Sequence, residues 1–201
     1  MTTTAVSTPA RPAALDARTM CEALMLTAAK RPDQVALRTP EDRPSLTFKE
    51  TMERVAALAA GLDGLGVRRG DTVGLMMVNR PGFHMFDAAA MMLGAAPFSV
   101  YNTSPPEQVG YVMSDAGNRV VITERQFVDV VRAAGEHGAQ VDTVVSIDGG
   151  GDLGIGDLVR SLGRCEHQRL AHRASVERRG PRRRGDRRRG HAPAASRLTR
   201  T

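Results

Sequence analysis

An α/β fold, with a largely parallel sheet and helices on its faces, is predicted by three features of this 201-residue chain. Short β-branched apolar runs alternate with helix-length segments, most clearly between Gly66 and Glu124. Glycine or proline punctuates the boundaries. The spacing strand, helix, strand, helix, strand makes two crossover units, whose strands lie parallel.

In chain order, Thr19 is placed to cap a helix that runs through Ala29, with Leu24, Met25 and Ala28 on one face and Arg31 and Pro32 as its stop. Residues 35–38 read as a short strand and residues 42–45 as a turn. Residues 46–48 are then expected to pair with 35–38 as a small hairpin at the sheet edge. Thr47 and Glu50 have the spacing of a capping box, ahead of Met52, Val55, Ala56, Leu58, Ala59 and Leu62 at helical intervals. The ending Gly61, Gly64, Gly66 is not a dinucleotide fingerprint, because the spacing is wrong and the glycines close a helix instead of opening one.

Residues 72–78 form a predicted buried strand after the turn at Gly66 to Asp71. Asn79, as a capping side chain, and Pro81, with φ already near the helical value, then start a helix that runs to Leu93 and stops at Gly94. Residues 97–101 are a second strand. Ser104, Pro105 and Pro106 announce a helix with Val109, Val112 and Met113 on its face, closed by Gly117. Residues 120–123 are a third strand, Phe127, Val128, Val131 and Ala134 a helix ending at Gly135, and residues 141–147 a fourth strand. Asp148 to Asp152, with three glycines between two carboxylates, is expected as a mobile surface loop; the flanking acids oppose phosphate binding. Residues 157–162 make a last amphipathic turn or two.

Several ordered blocks of this pattern resemble the N-terminal region of AMP-forming acyl-CoA synthetases, in the adenylate-forming superfamily. They are the run from Gly66 to Leu75, Asn79-Arg80-Pro81, the run from Gly94 to Glu107, and the run from Asp115 to Glu124. The Tyr101-Asn102-Thr103 version looks closest to the long-chain fatty acid–CoA ligases. The likeness covers roughly residues 19–163. It implies an acyl-adenylate step followed by thioester formation, with ATP, magnesium and coenzyme A as the cofactors of the full-length family.

Such chemistry needs a phosphate-holding loop, an acidic magnesium site and a mobile lysine. In the family the loop ends Thr-Gly-x-Pro-Lys-Gly, and no such run occurs in these 201 residues. The only lysines are Lys30 and Lys49, both early in the matched region. No catalytic, cofactor-binding or metal residue is therefore assigned, and the chain is expected to be inactive alone. The missing remainder of the synthetase, as a separate chain, is the partner this implies.

Other candidates have simpler readings. Histidine is the side chain whose unperturbed pKa lies near neutrality, but His84 has no partner in the sequence, so it reads as a helix-surface histidine. Phe83, Met85, Phe86, Met91 and Met92 could line an acyl channel, although helix-to-sheet packing accounts for the same residues. Cys165, His167, His172 and His191 match no zinc spacing. Two cysteines far apart indicate a reducing compartment, and with no apolar run of spanning length a cytoplasmic location is expected.

Charge divides the chain. Residues 1–164 carry net −3 and residues 165–201 net +9, from 12 arginines against three acids. Residues 1–18 are expected to be a disordered lead, 19–163 the folded subdomain, and 164–201 a disordered Arg-rich tail. Arg, Ala, Gly and Pro make up 22 of the last 37 residues, the composition that out-of-frame reading of a GC-rich gene would give. The alternative is a small α/β domain whose tail binds nucleic acid or another polyanion without sequence preference.

Overall fold

The computed structural model describes residues 11–39 and 45–160. The chain divides into two units, Met1–Cys165 and Glu166–Thr201, and the expected Arg-rich tail and zinc candidates lie outside the described residues.

Helix α1 (Met20–Lys30) begins where Thr19 Oγ1 accepts from the Glu22 amide at 3.1 Å. Strands β1 (Val35–Leu37) and β2 (Leu46–Thr47) pair antiparallel as a separate two-stranded sheet. They do not extend the edge of the main sheet, because Phe48, expected in the strand, already opens helix α2 (Phe48–Gly64). The capping box forms: the Glu50 amide donates to Thr47 Oγ1 at 3.2 Å and the Thr47 amide to Glu50 Oε2 at 2.8 Å.

The main sheet holds β3 (Thr72–Met76), β4 (Ala96–Ser99), β5 (Val120–Thr123), β6 (Thr143–Ser146) and β7 (Leu153–Gly154). All are parallel, in the order β4-β3-β5-β6-β7. The crossovers are α3 (Pro81–Met92), α4 (Pro106–Ala116) and α5 (Val128–Ala133), the last flanked by short 3-10 turns. Helix α6 (Ile155–Arg160) follows β7.

Alternation along each strand sends side chains to two cores. Val73, Leu75, Ile122 and Val145 meet Leu62 of α2, Phe86 of α3 and Leu158 of α6 on one face. Met76, Val121 and Val144 meet Val109 and Met113 of α4 and Val131 of α5 on the other. Each fully buried aliphatic or aromatic side chain contributes about 1.5–3 kcal/mol. The three layers are helix, sheet, helix.

Some local expectations change. Arg80, not Asn79, is the N-cap of α3, and no side chain caps it; Pro81 at the first helical position starts the helix without one. Strand β4 begins at Ala96 and stops at Ser99, one to two residues before the expected span. The α5 segment runs on past Gly135 as a 3-10 turn to Gly138, whose φ of 96° supplies the left-handed stop.

The largest correction concerns Asp148 to Asp152. Its expected looseness gives way to a hydrogen-bonded turn. Asp148 Oδ1 accepts from the Arg125 amide at 2.6 Å, Asp152 Oδ2 accepts from the Val144 amide at 2.8 Å, and the Asp152 amide donates to the Val144 carbonyl at 2.8 Å. The carboxylates that oppose anions tie the turn to the sheet, and the turn delivers β7 as a fifth strand.

Candidate functional site

The strand order defines the one crevice that a parallel sheet offers by topology. From β3 the chain crosses to β4 on one side and then returns over β3 to β5 on the other, so the connections diverge at the carboxyl ends of β3 and β5. Open α/β sheets bind ligands at such a switch point.

Here Thr123 Oγ1 donates to the Met76 carbonyl at 2.8 Å, closing the two strand ends together. Glu124, the next residue, is only 2% exposed. Its Oε1 accepts from the Val78 amide at 3.1 Å, and its Oε2 accepts from Gln126 Nε2 at 2.8 Å. Arg80 Nη1 stands 3.6 Å from Oε1, with the Arg80 side chain 40% exposed. The buried carboxylate is satisfied on both oxygens, as burial requires. It ties the β3–α3 loop to the end of β5 and keeps Arg80 beside it.

A buried carboxylate beside Arg80 weakens the arginine as an anion site. The arrangement braces the carboxyl ends of β3 and β5. Arg80 and Glu124 both fall in blocks that carry the family resemblance, but sequence reasoning assigns neither a role. A usable signal existed: Glu124 follows a strand buried along its whole length, where an acid must find partners.

The sequence candidates fall elsewhere. His84 is exposed on α3, its ring edge-on to Phe83 at 5.5 Å between centroids. Met85 and Phe86 belong to the core against the sheet, and Phe83 and Met92 pack on it, as helix-to-sheet packing requires. Cys21 is a free thiol whose pKa is raised by burial and by nearby Asp87, the opposite of an activated nucleophile. Burial also raises the Asp87 carboxyl, with the neighbouring His84 pulling it back. Lys30 ends α1 and Lys49 lies in the first turn of α2, both away from the crevice. Among the described residues no cluster of His, Cys, Asp and Glu could hold a metal.

A polar groove of about 410 Å³ lies at the opposite, amino ends of β3, β5 and β6, lined in part by Asp71, Thr72, Arg119 and Asp142. Arg119 and Asp142 pair with each other there. Parallel sheets do not as a rule place their ligands at this end.

The fold and the crevice define an open, doubly wound α/β unit of the kind that carries nucleotide chemistry at its switch point. The match of residues 25–172 to the AMP-binding enzyme family is specific, and the chain belongs to that family. The match continues nine residues beyond 163, where the sequence likeness was expected to end.

An uncharacterized protein, Rv1549, of Mycobacterium tuberculosis (strain ATCC 25618 / H37Rv) is 52% identical over 131 residues, 65% of this chain and 73% of that protein. The long-chain-fatty-acid–CoA ligase FadD15 of Mycobacterium bovis (strain ATCC BAA-935 / AF2122/97) is 34% identical over 79 residues, 39% of this chain and 13% of the ligase. Among solved structures, the anthranilate CoA ligase AuaEII, in complex with anthranoyl-AMP, superposes with a TM-score of 0.62 at 26% identity, covering 68% of this chain and 26% of the ligase. The chain thus spans a small part of the ligases it matches. Among the described residues no helix is long and apolar enough to cross a membrane.

Proposed function

We propose that this chain is the amino-terminal part of an AMP-forming acyl-CoA ligase acting on long-chain acids, and that these 201 residues alone neither adenylate an acid nor form a thioester. The observation that carries the reading is the braced β3/β5 switch point within a family match of residues 25–172. The long-chain assignment rests on the Tyr101-Asn102-Thr103 block and is supported by the likeness to FadD15. AuaEII, an aromatic-acid ligase by its name, shares the same unit, so the unit itself does not select the acid.

The chemistry of the reading assigns this unit a supporting role. ATP, magnesium and coenzyme A would be held by groups that this sequence lacks, chiefly the Thr-Gly-x-Pro-Lys-Gly loop. The residues present supply a rigid sheet and a fixed Arg80–Glu124 edge against which those groups are placed. A second polypeptide carrying the remainder completes the enzyme, and the setting is the cytoplasm. The polyanion-binding alternative is not favoured, because the similarities are to CoA ligases and the family match itself enters the Arg-rich segment.

The test is ATP–pyrophosphate exchange and thioester formation with purified chain, palmitate and coenzyme A. Background rates are expected, and turnover by the isolated chain would overturn the proposal.

A further inference from the structure

We draw no further inference here: the strongest candidate, the apolar groove of about 370 Å³ between α1 and α2 lined by Met25, Ala28, Ala29, Pro32 and Met52, carries nothing because nothing in the structure shows what covers it.

Discussion

Gly61 of α2 and Leu158 of α6 meet so closely that a Cβ on Gly61 would stand 2.7 Å from Leu158 Cγ and 2.8 Å from the Leu158 carbonyl oxygen. Leu158 is fully buried, and it brings the last described helix onto the core against α2, beside β6 and β7. A glycine inside a helix costs about 1 kcal/mol relative to alanine, and here the cost is offset by helix-to-helix approach.

Gly61→Ala is therefore expected to destabilise the unit by about 1–3 kcal/mol despite its better helix propensity, since a backbone oxygen must move. Urea unfolding measures the loss. Hydrogen exchange should show α6 losing protection first, and a stability gain would contradict the close contact.

At the switch point, Glu124→Ala leaves the Val78 amide without its acceptor and Arg80 without its carboxylate. The expected loss is about 1–3 kcal/mol, from the unsatisfied, partly buried donor. Glu124→Gln, which keeps an acceptor oxygen, should recover part of it. Equal stability of all three proteins would mean that the brace contributes nothing.

Asp87 sets a pH dependence whose sign is fixed by its raised carboxyl pKa. The folded state holds the proton more tightly than the unfolded chain, whose value is about 3.9. The favourable contribution is thus fully present below that value and is lost as pH rises through the higher folded one. Asp87→Asn should raise the melting temperature at pH 7, and the advantage should vanish in thermal scans near pH 3. An unchanged or lower melting temperature at pH 7 would show that burial does not disfavour the charge.

Thr47→Ala removes the oxygen that accepts from the Glu50 amide and should cost about 1 kcal/mol. The Glu50 pKa is lowered first by the Thr47 backbone amide and then by the Thr47 hydroxyl, so in the same variant, which keeps the amide, it should rise only part of the way back. NMR titration of the Glu50 carboxyl reads this directly.

The elements that sequence revealed are those whose signals are local. Thr47 and Glu50 announce α2 within four residues, and β-branched runs bounded by Gly66, Gly94 and Gly117 announce the central strands. Strand β7 escaped because it is two residues long, and because its pairing with β6 depends on a turn whose glycines look loose until Asp148 and Asp152 are seen to bind backbone amides. The Arg80–Glu124 brace escaped for a related reason. Its partners lie 44 residues apart in sequence and meet only through the strand order.

That order also sets a timetable. β3 is the first strand of the sheet to leave the ribosome, and one of its sides is taken by β4 soon after. Its other side belongs to β5, and the Thr123-to-Met76 bond spans 47 residues. At about 5–20 residues per second, β3 waits several seconds of synthesis with one edge unpaired. The sheet grows outward from its oldest strand in both directions, so a slow stretch of translation between residues 100 and 120 would prolong the interval in which that edge is open to another chain.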